Sequence, residues 1–290
     1  MYEIKTANKQ MRIELKDVLM ESFKMNPDAI MDAFFRERVE YENCLIAVCD
    51  GKIISALYLF YSEICFKKRK IPAYYIYSAG TLPKYRSNGV MTELLMYARE
   101  IAKRKKCKYL FLLPQTKDLY KFYGNRGFGK FFKKRECLIL RSDLERYAKG
   151  GQINTSVVLN IDEAHEIREK SFNFDGNVSW NKNHFEYSIL LNNLRQGFMI
   201  YSERGYAMCS KLENNCLVVK ELAVLESDFS NLMANIIARA NCEMYLFRTS
   251  AMHSYFGKTG VVSDYGMLLP VDELDQVPDM EDPYIGLTME

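Results

Sequence analysis

The sequence predicts an α+β fold in which a mixed, mostly antiparallel sheet flanked by helices is laid down twice along the chain. Three observations predict it. The first 150 residues read as two helices, a run of antiparallel strands, and then strand, helix, strand, with the apolar period switching between helical and extended spacing. Residues beyond 150 give the same order again. At 290 residues the chain also exceeds the usual size of a single hydrophobic core.

In order along the chain, a short strand at 2–4 precedes helices over about 8–24 and 28–40. The apolar run from Cys44 to Val48 and the long segment from Ile53 to Phe66 flank Asp50-Gly51, a pair suited to the left-handed turn of a β-hairpin. Lys67 to Lys70 makes the next polar turn. The segment IPAYYIYSAGTL, Ile71 to Leu82, is aromatic and branched as strands are, and Gly80 within it marks a bulge or a close backbone approach. From Asn88 to Lys106, residues Val90, Met91, Leu94, Ala98, Ile101 and Ala102 share one helical face, and Lys103 to Lys106 complement the negative end of the dipole. Tyr109 to Leu113 is continuously apolar, as a strand buried on both faces requires. A helix over 116–124 and strands over 127–140 close the half.

The pattern breaks at Lys149-Gly150-Gly151, which sets the expected domains at 1–149 and 150–290. The second half then gives helices near 162–172 and 181–194, a hairpin about Arg204-Gly205, a strand from Cys216 to Val224, a helix from Asp228 to Asn241 and a strand from Met244 to Phe247. FYGNRGF at 122–128 matches YFGKTGV at 255–261, an offset of 133, and supports a duplication.

Composition narrows the function. With 48% apolar residues but no long pure run, nothing reads as a membrane span, and the charged N-terminus lacks the apolar region of a secretory signal. Eight cysteines without a CxxC pair, and three scattered histidines, argue for reduced thiols in a cytoplasmic protein and against a metal site. The net charge of +3 hides an asymmetry: residues 1–150 carry 30 basic against 17 acidic side chains, net +13, and residues 151–290 carry 10 against 20, net −10. A basic half invites an anionic ligand, and an acidic half can guide a cation.

The segment PKYRSNGVMT, Pro83 to Thr92, joins a predicted strand to a predicted helix. N–H groups at a helix start have no partner within the helix and lie at the positive end of its dipole, so the segment reads either as an anion site or as an ordinary helix cap with a solvated Arg86. Gly89 allows close approach, Arg86 adds charge, Ser87 a hydroxyl, and Asn88 is a good N-cap. No Walker loop and no GxGxxG fingerprint occurs.

PKYRSNGVM is similar to the coenzyme A loop of the GNAT acyltransferase superfamily, and FYGNRGF is similar to the later Phe/Leu-Tyr-x-x-x-Gly-Phe of that family. The resemblance covers residues 71 to 140. It implies the GNAT fold and an N-acetyltransferase that moves an acetyl group from acetyl-CoA directly to a primary amine. It also implies that Thr81 and Leu82 hold the pantetheine arm, that Arg86, Ser87, Asn88, Gly89, Val90, Met91 and Thr92 hold the pyrophosphate, and that Tyr123 protonates the departing thiolate. A phenol of ordinary pKa about 10 suits that transfer, and Tyr120 is the fallback acid. The sequence departs from the family at Met91, where Gly or Ala is usual, and at Thr116, where many members have Asn.

From Val271 to Glu290 the chain has seven acidic residues and no basic one, which reads as a solvated tail. Its YIGLTME ending is similar to the terminus of larger aminoglycoside acetyltransferases of the enhanced-intracellular-survival type. That resemblance implies an active-site role for the terminal carboxylate of Glu290. The second half lacks a phosphate loop and has Phe256 where the repeat would place Tyr123, so it reads as degenerate and given to acceptor binding, structure or self-association. The acceptor expected is a small-molecule or peptide amine, cationic by the charge of the second half. Two alternatives remain: a non-catalytic acyl-CoA-binding regulatory module, disfavoured by Tyr123, and a tRNA-dependent aminoacyl transferase, disfavoured by the intact coenzyme A loop. No membrane partner is expected, and nucleic acid is disfavoured.

Overall fold

In the computed structural model of the chain, which describes residues 1–24, 28–210, 212, 214–272 and 276–289, the apolar patterns become two α/β layers. The first half contains β1 (Tyr2–Thr6), α1 (Arg12–Phe23), α2 (Ala29–Ala33), β2 (Cys44–Cys49), β3 (Lys52–Phe66), β4 (Arg69–Thr81), α3 (Val90–Arg104), β5 (Tyr109–Leu112), α4 (Lys117–Gly124) and β6 (Gly129–Lys130). The helix expected over 28–40 is shorter, continuing only as a π-helical turn from Phe34 to Arg38. Asp50 (φ 49°) and Gly51 (φ 75°) make the left-handed turn between β2 and β3, as their pairing predicts.

The remainder supplies β7 (Lys133–Leu140), α5 (Arg141–Tyr147), α6 (Ile161–Ser171), β8 (Val178–Ser179), α7 (Lys182–Leu194), β9 (Phe198–Ser202), β10 (Gly205–Cys209), β11 (Cys216–Val224), α8 (Phe229–Arg239), β12 (Met244–Thr249), β13 (Tyr255–Lys258), β14 (Val261–Asp264) and β15 (Met267–Pro270). Helix α5 and the last three strands are absent from the sequence-based expectation. Their segments are four to seven residues long, too short for either period to stand out.

The structure divides the chain differently from the single cut expected after Lys149. One unit comprises Met1–Ile64, Arg69–Phe131 and Gly266–Asp279; the other takes Cys65–Lys68, Phe132–Tyr265 and the chain from Met280 onward. The strand path of the first is β1-β2-β3-β4-β5-β15-β6, and that of the second is β14-β7-β12-β11-β10-β9. Each path holds one parallel pair, β4 with β5 and β11 with β12. Beyond that pair the strands are exchanged. β15 lies antiparallel to β5, Met267 opposite Leu112, while β7 lies antiparallel to β12, Leu140 opposite Met244. Each unit therefore completes its sheet with a strand from the far part of the sequence.

The core of the first unit packs Val90, Leu94, Leu95, Ala98, Ile101 and Ala102 of α3 against Leu57, Leu59, Tyr74 and Ile76 of the sheet. Each fully buried aliphatic side chain of this kind contributes about 1.5–3 kcal/mol. In the second unit, Leu217, Val219, Tyr245, Phe247 and Cys137 of the sheet meet Leu232, Met233 and Ile236 of α8. No described helix is long and apolar enough to cross a membrane.

The tail from Tyr284 to Met289 departs from the solvated reading. Tyr284 (3% exposed), Ile285 (0%), Leu287 (8%) and Met289 (6%) are buried in the second unit. The Val178 N–H donates to the Tyr284 carbonyl (2.9 Å), and the Trp180 indole donates to that of Ile285 (2.8 Å). His184 Nε2 meets the Leu287 carbonyl at 2.8 Å, and Arg195 Nη1 donates to that of Met289 (3.2 Å). Gly286 has positive φ and lies on the buried Arg168–Glu221 pair, where a Cβ would stand 2.7 Å from Glu221 Oε2. Six of the seven acids of this region precede the segment, whose own apolar residues are buried.

Candidate active site

The register of β4 and β5 runs only from Ala73 opposite Tyr109 to Tyr75 opposite Phe111, whereas β4 continues to Thr81. The two strands part beyond that point, and a cleft of about 620 Å³ opens in the first unit, with Gly80, Thr81, Gly89, Thr92, Tyr123 and Arg126 in its lining. The end of β4 is fixed from the β3 side. Ser55 Oγ donates to the Gly80 carbonyl (2.9 Å) and meets the Thr81 hydroxyl at 2.8 Å, while the Leu82 N–H donates to the Ile54 carbonyl (2.9 Å). Gly80 is required by the other neighbour. A Cβ there would stand 3.0 Å from the Phe23 ring and from Ser22 Cβ, because the last turn of α1 lies against this strand.

After β4 the chain makes a 3-10 turn at Pro83–Tyr85, passes Ser87 and Gly89 with φ of 64° and 80°, and enters α3 at Val90. Gly89, rather than Asn88, is the N-cap, and it offers no side chain to the first-turn N–H groups. These donors lie at the positive end of a 15-residue helix, the place where the sequence leads one to expect an anion. Val90 is buried, and the side chain of Met91 packs against the core. The larger residue at the family's small position thus serves packing. Arg86 donates from Nε to the Thr81 carbonyl (3.0 Å) and from Nη2 to that of Ser22 (2.7 Å).

Thr116, where the sequence departs from the Asn usual in the motif, is the N-cap of α4, its hydroxyl accepting from the Leu119 N–H, so this side chain is used to start the helix. Tyr123 lies on that helix, 7% exposed, edge-on to Phe122 (5.1 Å) and Phe128 (5.7 Å). Burial pushes its phenol up to about 12, and the nearby Arg126 charge opposes the rise. The described cleft lining includes Tyr123 and leaves out Tyr120.

Arg126 was missed in the sequence. Its Nε and Nη2 donate to Thr92 Oγ1 (2.9 and 2.7 Å), its Nη1 donates to the Phe122 carbonyl (2.6 Å), and it stacks on the Phe122 ring at 3.5 Å. The available signal was its place three residues after Tyr123, within the matched motif.

In the second unit a recess of about 50 Å³ lies beside Gly286–Met289. At the start of α8, where an anion would bind, the chain supplies its own. Asp228 is 4% exposed and accepts from the Arg204 N–H (2.7 Å) and from Asn231 Nδ2 (2.7 Å). The matched segments 122–128 and 255–261 also fold differently. The first ends a helix, whereas the second spans β13 and the turn into β14, with Phe256 in a strand packed 4.5 Å from Phe247. The duplication lies in the strand plan, and that sequence match is no part of it. Glu290 lies outside the described residues.

Residues 3–131 match the model of the acetyltransferase (GNAT) domain. No curated protein matches the chain. Among solved structures, the chain is similar to a probable N-acyltransferase of Enterococcus faecalis V583 (TM-score 0.75, 14% identity, 93% of this chain and 72% of that one). It is also similar to a GCN5-related N-acetyltransferase of Kribbella flavida (TM-score 0.73, 16% identity, 94% and 72%) and to Eis1 of Mycobacterium abscessus (TM-score 0.72, 13% identity, 93% and 74%).

Proposed function

We propose, for a chain of the GNAT fold whose residues 3–131 match the acetyltransferase domain, direct transfer of an acetyl group from acetyl-CoA to a primary amine. The observation that carries this reading is the cleft itself. One wall is the end of β4 beyond its pairing with β5, another is the start of α3 under a glycine cap, and Tyr123 is in the lining.

In this reading Thr81 and Leu82 guide the pantetheine arm, and the N–H groups from Val90 to Thr92, approached across Ser87, Asn88 and Gly89, receive the pyrophosphate. The neutral amine attacks the thioester carbonyl, a backbone N–H at the end of β4 meets the oxyanion, and the tetrahedral intermediate collapses by expelling the thiolate. Tyr123 gives that sulfur its proton, and the proton lost by the attacking nitrogen returns to the phenolate through water. A phenol near 12 is a weaker acid than an ordinary thiol, whose pKa is about 8.5. The same exclusion of water raises the thiol in the cleft, which brings the two closer. Amine and thioester held together supply most of the remaining acceleration.

A cationic acceptor is supported by the net charge of −10 over residues 151–290. Following thiol release from acetyl-CoA across a library of polyamines, aminoglycosides and peptide N-termini tests the reaction and the acceptor together. A chain that binds charged tRNA and leaves acetyl-CoA unbound would refute it.

A further inference from the structure

Two arginines face the cleft, and their surroundings differ in a way that reverses the roles suggested by their places in the sequence. The comparison rests on the acyl-CoA reading above. Arg86 belongs to the loop, yet the two contacts that hold it are carbonyls, Thr81 at the end of β4 and Ser22 in the last turn of α1. A helix C-terminus is the negative end of the dipole and leaves carbonyls without helical partners, so a guanidinium is stabilised there by the protein alone. With Gly80 admitting Ser22 and Phe23 against the strand, Arg86 fastens the loop to α1.

Arg126 is placed differently. Two of its N–H groups converge on Thr92, the third residue of α3, so its charge stands beside the positive end of the helix. A cation is disfavoured at that end unless an anion joins it. The acid of that turn, Glu93, bonds instead with Tyr2. No described carboxylate lies within ion-pair distance of Arg126, and its third contact is the Phe122 carbonyl. A guanidinium carries five N–H donors. Three are engaged here, and the planar group is held by its stack on Phe122 with the others still to be used.

We propose that Arg126 supplies the side-chain charge that meets the pyrophosphate of the acyl-CoA, and that Arg86 is a positioning residue for the loop. Because Arg126 also holds the carbonyl next to Tyr123, it joins phosphate binding to the placement of the acid: Thr92 on one helix, Phe122 on the other.

The test compares two donors, acetyl-CoA and S-acetyl-pantetheine, which keeps the thioester arm and lacks the phosphates. Dissociation constants are measured by calorimetry for the wild type, Arg126→Gln, Arg126→Lys and Arg86→Gln, each checked for a native melting transition. Arg126→Gln should weaken acetyl-CoA about 10–100-fold, the scale of a charge-assisted contact, flatten its salt dependence, and leave acetyl-pantetheine unchanged, with Arg126→Lys recovering part of the loss. Arg86→Gln should weaken both donors by the same factor. Wild-type acetyl-CoA affinity in Arg126→Gln, or an equal loss for both donors, overturns the proposal. If Arg126→Gln does not fold, Thr92→Val carries the same comparison, since it frees the guanidinium from its anchor and retains the charge: a loss confined to acetyl-CoA supports the proposal, and an equal or absent loss overturns it. A wild type that binds no acetyl-CoA refutes the acyl-CoA reading itself, which is a distinct result.

Discussion

Replacing Tyr123 with Phe removes one hydroxyl and keeps a ring that is 7% exposed between Phe122 and Phe128. No hydrogen bond contributes to the state of that phenol. The fold should therefore change by less than about 1 kcal/mol, and acetyl-CoA affinity should hold. Chemistry should not. A positioned general acid contributes about 10²–10⁴ in rate, or roughly 2.7–5.4 kcal/mol of barrier. The rise to about 12 adds a second expectation: the phenol keeps its proton throughout the usual assay range, so no alkaline loss of rate below about pH 11 originates at Tyr123. Stability follows the same sign. A folded value above the unfolded one contributes fully below about pH 10 and is lost as pH rises through 12. Because product release can mask chemistry, the assay is rapid-mixing detection of the first thiol released by a folded variant. A first turnover at the wild-type rate would remove Tyr123 from the mechanism and leave Tyr120 or solvent as the acid.

The second unit fills its own anion position with Asp228, so titration should find one acetyl-CoA per chain; two equivalent sites would contradict the assignment. A chain cut before Tyr284 loses four buried side chains at about 1.5–3 kcal/mol each. That approaches the whole stability of a domain, so its melting transition should collapse and its lost activity say nothing of mechanism. Removing Glu290 alone spares those side chains: turnover should fall with folding and acetyl-CoA affinity intact if its carboxylate acts, and full turnover strikes it out. Gly80→Val should push Ser22 and Phe23 off β4 and raise the Michaelis constant for acetyl-CoA at least several-fold, with unchanged kinetics as the contrary result.

The path from Cys44 to Leu112 was legible because its strands and its helix carry clean periods and its hairpin turn has the residues that left-handed backbone demands. The loop from Pro83 to Thr92 and the tyrosine after it were legible as motifs. What was hidden depends on partners distant in sequence. Arg126 lies within the FYGNRGF motif, but its contact with Thr92, 34 residues away, is not legible there. The tail looked solvated because it carries seven acids and no base, yet its apolar side chains are buried and its backbone carbonyls are met by Val178, Trp180 and His184. Matching FYGNRGF with YFGKTGV misled because sequence likeness at short range does not hold a helix against a strand.

The exchange of β7 and β15 bears on the order in which the chain is made. Leu112 waits for Met267, 155 residues later. At a synthesis rate of about 5–20 residues per second, β5 leaves the ribosome on the order of 10–30 s before its second neighbour, β15, exists. During that interval β7, which begins 21 residues beyond the end of β5, is the first strand of more than two residues to follow it, and a pairing with it would be local. That local pairing closes a far shorter loop than the native one and forms sooner. The native pairing of β5 with β15 is therefore the later one to form, and β5, apolar and buried along its whole length, keeps that edge open until Met267 emerges.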